Sequence, residues 1–208
     1  YILFDKQNAF KEYSEIFKLI GKINVLNKKL VDVSNWIYFD IGDVNGLFSV
    51  QLSKGDNKIK ELKPGNIPLV SALSENNGIV GYIENGDGKA EKFKAKSITV
   101  DMFGNTFYQN NEYYAVSHGR VNMLIPNTKI NKFHGLFIVT MLKELKNKYS
   151  FDGMCTSKKM EKEKILLPSI KNEQGVVEPD WGFMQGFVKD IFSKIQEANL
   201  INEDDLKE

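Results

Sequence analysis

Eight short apolar runs between Trp36 and Ile125 constrain the fold more than any other feature of this chain. They occupy residues 36–41, 46–50, 67–70, 79–83, 97–100, 105–109, 113–116 and 121–125, and Gly, Asn and Asp punctuate them. That pattern is the signature of short strands joined by turns. One stretch, PLVSALSENNGIVGYI at 68–83, leaves an apolar run, turns on Asn77–Gly78 and returns to an alternating apolar run. An Asn-Gly pair suffices for the turn. Ser71, Ser74 and Asn76 are surplus to it.

The periodicity is helical on either side of this region. Phe10, Tyr13, Phe17 and Ile20 recur at spacings of three and four within 6–32, and Val25, Leu26 and Leu30 continue the stripe beyond Gly21. Residues 133–146 also read as a helix, with Leu136, Phe137, Val139, Thr140 and Leu142 too mixed to define one face. ILLP at 165–168 reads as a short strand or a loop anchor. Asp180 is placed to cap a clear C-terminal helix, on which Trp181, Met184, Phe187, Val188, Ile191 and Ile195 share a stripe. At 1.5 Å per residue, 180–199 spans roughly 30 Å. The expected class is α+β, rich in mixed and antiparallel pairings, with a helical connector at 1–34, a globular domain at 35–179, and a C-terminal helix and acidic tail at 180–208.

The 208 residues, 42% apolar and 12% aromatic, suffice for a packed core. No apolar run approaches the roughly 18 residues of a membrane span, and no secretory signal is visible. The single cysteine, Cys155, excludes an internal disulfide and a multi-cysteine metal site, and a reducing, cytoplasmic setting is expected. The formal charge is +1 overall; 176–208 holds three lysines against eight acidic residues, leaving about +6 on 1–175. That bias suits a polyanion, and it equally describes a lysine-rich solvated surface.

Catalytic signatures are missing. His118 and His134 lack zinc-motif spacing, and the chain contains no HExxH, no phosphate loop ending in GK[ST] and no GxSxG elbow. Cys155 can be drawn with either histidine as a thiol–imidazole pair, but the spacing does not favour that over a lone cysteine. The pairs Asp56/Glu61 and Asp40/Asp43 fit turns better than acid–base partnership.

The polar residues where strand-like runs end invite a binding role. Ser71, Ser74, Asn76, Asn77, Gln109, Asn110, Asn111, Ser117, His118 and Arg120 are of the types that read base edges, as in Asn or Gln to adenine and Arg to guanine. Lys54, Lys58, Lys89, Lys92, Lys94, Lys158 and Lys159 are candidates for the phosphate contacts that position such a reader. The alternative for each is simpler: Asn and Ser populate turns because they bond their own backbone, and isolated lysines keep surfaces soluble.

The order of several segments resembles the target recognition domains of the DNA specificity subunits of type I restriction–modification systems, and of related type II enzymes that combine restriction with methylation. NWIYFDIGDVNGLFSV (35–50) looks like their entry, GNIPLVSALSENNGIVGYI (65–83) like their strongest signature, and KSITVDMFGNTFYQ (96–109) like its partner. AVSHGRVNMLIP (115–126) and GLFIVTMLKEL (135–145) resemble the later strand and helix. KYSFDGMCTSKKMEKEKILLPS (148–169) resembles the closing segment, and EPDWGFMQGFVKDI (178–191) the start of the long helix beyond it. The resemblance covers about residues 35–195.

It implies sequence-specific recognition of double-stranded DNA through loops in the major groove, with no catalysis in this chain. S-adenosylmethionine would bind in a methyltransferase partner or domain. The helix after Asp180 would act as a spacer and docking surface for that partner, through Trp181, Met184, Phe187, Val188, Ile191 and Ile195. Nuclease subunits or fused domains, and a homodimer through the helices, are further arrangements it allows; a membrane is not among the partners. A full specificity subunit usually carries two recognition domains, so this chain is expected to be a half-subunit or part of a longer polypeptide. The rival expectation is an interaction module that docks a helical partner and binds little DNA itself.

Overall fold

The computed structural model describes residues 33–42, 44–52, 57–116 and 121–197. The helix expected at 6–32, the tail after 197, Asp43, Lys54, Asp56, Ser117, His118 and Arg120 lie outside them. Among the described residues ten strands form three sheets. β2 (Phe48–Leu52), β8 (Val121–Pro126), β5 (Ser97–Asp101) and β6 (Thr106–Gln109) make a four-stranded sheet in that order, antiparallel throughout. β4 (Ile79–Ile83), β3 (Pro64–Val70) and β7 (Tyr114–Ala115) make a second, in which β3 and β7 run parallel. The third sheet joins the two ends of the domain: β1 (Trp36–Asp40) pairs antiparallel with β9 (Lys164–Lys171), and β9 with β10 (Val177–Pro179). The α+β expectation is met, and ILLP lies within strand β9.

The middle strands of the four-stranded sheet, β5 and most of β8, are buried on both faces, whereas the edge strand β2 exposes Ser49 and Gln51. Because side chains alternate along a strand, Ile98, Val100 and Leu124 enter the larger core, while Val121 and Met123 enter a smaller one with Val70, Ile79, Phe93, Tyr113 and Ala115. The remaining face of β5 is polar but satisfied; Ser97 Oγ and Tyr113 Oη lie 2.9 Å apart, deep in the interior. Burial pushes the Tyr113 phenol far above its ordinary range.

Helix α1 (Lys132–Leu142) lies against β6, β5 and β9 and is covered in turn by the long C-terminal helix. Phe133, Leu136, Phe137, Ile138, Val139 and Leu142 are all buried, so the helix has no solvent face for a polar stripe, and its pattern reads as mixed. Asn131 caps it: Oδ1 accepts from the N–H groups of Phe133 and His134, and His134 Nδ1 accepts from Asn131 N–H. Gly135 lets α1 close on β6, since a Cβ there would lie 2.2 Å from Cδ2 of Tyr108. Gly135→Ala is therefore expected to destabilise the domain by about 1–3 kcal/mol. A urea unfolding curve checks this; an unchanged or raised midpoint would disprove the close packing.

Two short helices, α2 (Leu145–Lys148) and α3 (Ser157–Met160), link α1 to β9. Helix α4 (Trp181–Glu197) follows β10. Asp180 caps it as the sequence predicts, with Oδ1 accepting from Phe183 N–H at 2.8 Å. The apolar stripe corrects one expectation. Met184, Val188, Ile191 and Ile195 are buried in the chain's own larger core and do not form an exposed docking stripe, while Trp181 and Phe187 are half-buried at its margin. An amphipathic helix beside an uncovered core packs on that core first.

Candidate nucleic-acid interface

The loop at 71–78 is held in an unusual backbone conformation. Asn76, Asn77 and Gly78 are successively left-handed, with φ of 51°, 55° and 73°. Gly tolerates that region freely and Asn better than most residues, so the sequence NNG is what such a turn requires. The loop closes through Ser71 N–H donating to the Gly78 carbonyl at 2.7 Å. It then covers the outer edge of β6. Asn77 Nδ2 donates to the Tyr108 carbonyl at 3.0 Å and to Gln109 Oε1 at 3.1 Å. Gln109 Nε2 in turn donates to the Asn77 carbonyl and to Thr99 Oγ1, both at 3.0 Å.

These bonds sort the base-contact candidates. Gln109 is 3% exposed with its amide engaged inside the protein, so it holds the loop and does not face a ligand, and Asn77 serves the same clasp. Asn76 and Ser74 remain exposed on the loop surface, and Ser71 is half-buried at its base. The connection from β6 to β7 departs at Gln109 and presents Asn110 and Asn111 to solvent. Val116 N–H donates to the Val70 carbonyl, so Val116 lies beside the start of the 71–78 loop. The fold thus gathers Ser71, Ser74, Asn76, Asn110 and Asn111 from two separate segments around the ends of β3 and β6.

The lysines divide into two groups. Lys92 and Lys94 flank Phe93, which bridges to Tyr113 just beyond Asn110 and Asn111. Lys92 pairs with Glu112 at 2.7 Å, and that hydrogen-bonded partner raises its pKa. Lys89 is exposed on a loop tied by Asp87 N–H to Asn57 Oδ1, while Asn57 Nδ2 donates to the Ala115 carbonyl. Lys58 pairs with Glu61 at 3.7 Å on the same side. By contrast, Lys158 and Lys159 lie on α3, next to Cys155, whose N–H donates to the Met102 carbonyl in the β5–β6 turn. That turn is the opposite end of the hairpin from Ser97 and Gln109, roughly 13 Å along the strands. A residue that the sequence did not single out sits with the first group: Lys96, exposed and left-handed at φ 60°, with its N–H donating to the Gln109 carbonyl at 2.8 Å.

A thiol–imidazole pair with His134 does not form. His134 caps α1 and packs against Trp181, whereas Cys155 is enclosed by Met160 and by Asn122, whose Nδ2 donates to the Cys155 carbonyl. Burial pushes the Cys155 thiol up to about 11, which disfavours a reactive thiolate. Among the described residues no cluster of His, Cys, Asp and Glu could hold a metal, and no helix is long and apolar enough to cross a membrane.

A family model for the type I restriction modification DNA specificity domain matches residues 33–203. The chain belongs to this family. The specificity subunit S.BcgI of a type II restriction enzyme from Heyndrickxia coagulans is 28% identical over 179 residues, covering 83% of this chain and 49% of the relative. The fold of the specificity domain is similar to that of the S subunit of the type I restriction–modification system from M. genitalium, at a TM-score of 0.53 and 15% identity, over 95% of this chain and 50% of that one. It is also similar to the HsdS subunit from Thermoanaerobacter tengcongensis, at 0.50 and 12%, over 97% and 50%. The specificity domain spans about half the length of these relatives.

Proposed function

We propose that this domain reads one part of a double-stranded DNA target and directs a methyltransferase, and any nuclease joined to it, to that site. Family membership supports the reading, and one structural observation carries it: the loop bearing exposed Asn76 is bonded through Asn77 to the end of β6, just before exposed Asn110 and Asn111, and Lys92 and Lys94 flank the Phe93–Tyr113 bridge beside them. Exposed amides beside amines combine groups for base edges with groups for phosphates. Ser71 and Ser74 belong to this recognition rim; Ser117, His118 and Arg120 continue it in sequence. Lys89 and Lys58 would border the duplex more distantly, and Lys158 and Lys159 would meet DNA only where it extends toward the far end of the sheet.

Residues 1–34, 35–179 and 180–208 would serve as connector, reader and spacer. With the inner stripe of α4 buried, its remaining aromatic face meets the methyltransferase: Phe183, 37% exposed, stacks on half-buried Phe187. S-adenosylmethionine binds in that partner, chemistry occurs there, and the assembly works in the cytoplasm.

The test co-expresses the chain with its methyltransferase and maps methylated sites by sequencing host DNA. Exchanging 71–77 or 109–120 for the equivalent loops of a relative is expected to change one block of the methylated motif. Asn76→Ala is expected to relax discrimination at one base pair by about 1–3 kcal/mol if that amide makes a bidentate contact. An assembly that forms normally and methylates an unchanged motif after both exchanges would refute the reading.

A further inference from the structure

Lys96 combines three features that no other exposed lysine of the described chain shares. Its backbone is left-handed at φ 60°, a conformation unfavourable for a long side chain and natural to Gly or Asn. Its N–H is fixed to the Gln109 carbonyl at 2.8 Å, the same residue whose side chain clasps the Asn77 loop. The side chain is exposed, and no acidic partner neutralises it among the described residues, in contrast to Lys92 with Glu112 and Lys58 with Glu61.

The left-handed turn here is dictated by topology, because the chain must leave the Phe93–Tyr113 bridge and enter β5 at Ser97, opposite Gln109. Glycine would make that turn without strain. A lysine at a glycine's position exchanges backbone ease for a fixed positive charge, and residues in sparsely populated backbone regions cluster at binding sites.

We propose that Lys96 is a DNA-phosphate contact that holds the recognition rim against the duplex backbone. Gln109 is the positioning residue shared by this anchor and the Asn76-bearing loop: its side chain orients one and its carbonyl the other. The ligand chemistry is a phosphodiester of the duplex backbone, met by the ammonium of a lysine whose backbone is anchored beside the exposed amides. This inference rests on the DNA-reading proposal above.

The assembled complex of full-length chain and methyltransferase is titrated against two fluorescent duplexes, one bearing the mapped motif and one scrambled, from 50 to 200 mM KCl. Lys96→Gly is expected to lower affinity for both duplexes by a common factor, to reduce the log–log salt slope by about one, and to leave the methylated motif unchanged. It is also expected to raise the melting temperature by about 2–4 °C, because the strain is relieved. Lys96→Arg should keep the parental slope. Opposite signs for stability and binding separate a contact from a structural role. An unchanged slope and affinity in Lys96→Gly would overturn the proposal, as would a changed motif at constant slope. Equal affinity of the unsubstituted complex for the two duplexes would count against base reading instead, while the slope would still report on the phosphate contact.

Discussion

Phe192→Ala is expected to lower the stability of the domain by about 3–5 kcal/mol, one of the largest losses available to a single substitution here. Phe192 is fully buried on α4, and its ring meets that of Phe133 edge-on, with centroids 5.9 Å apart. Val188 and Met184 lie one and two turns earlier, so a void at 192 loosens the last turns of α4 from α1. Phe133 is the second residue of α1, and the side chain of Asn131, which caps α1, also donates to Gln185 Oε1 at 2.5 Å on α4. Loss of the aromatic contact therefore falls on a junction already shared by both helices. Urea unfolding at constant slope should show the drop as a lower midpoint. A loss below about 1 kcal/mol would mean that α4 contributes little to the domain core and is free to serve a partner, as its stripe alone suggests.

That stripe illustrates how far the sequence reaches. Periodicity identifies a helix after Asp180, its cap and its apolar face, because these depend on residues within a few turns of one another. What the face covers depends on α1, some fifty residues earlier, and an amphipathic pattern is the same whether the cover is one's own core or a partner. The strands show the same division. Runs such as 79–83 and 121–125 fall on β4 and β8 because alternation and turn residues are local, whereas β10, three residues long, exists by pairing with β9 and leaves no periodic trace.

At the candidate interface, the turn at Asn77–Gly78 is legible from residue preference. Gln109 is not: a glutamine closing an apolar run looks like an exposed reader, and its burial follows from the 71–78 loop folding over the β6 edge. Lys96 escapes notice for a related reason. Nothing in the residue type announces a left-handed backbone, since that sign is ordinarily written as Gly or Asn.

Gln109→Leu is expected to cost about 2–3 kcal/mol of stability and to relax the methylated motif at least as far as Asn76→Ala does. Leucine occupies much of the same volume but donates nothing, so the Asn77 carbonyl and Thr99 Oγ1 lose their donor in a buried setting, at about 1–3 kcal/mol for an unsatisfied group. Asn77 Nδ2 keeps the Tyr108 carbonyl and loses Gln109 Oε1. The left-handed Asn76–Asn77 pair is then held by one side-chain bond in place of three, and the exposed Asn76 amide loses its fixed orientation. Asn77→Gly removes the partner amide while allowing the same backbone. The double substitution should therefore cost less than the sum of the two single ones, by about 1 kcal/mol or more. Motif sequencing and urea unfolding on the four proteins measure both quantities. Strict additivity would show that the two amides act separately. A relaxed motif with coupled stabilities would assign to Gln109 a role in recognition that requires no contact with DNA: it holds the residues that make one.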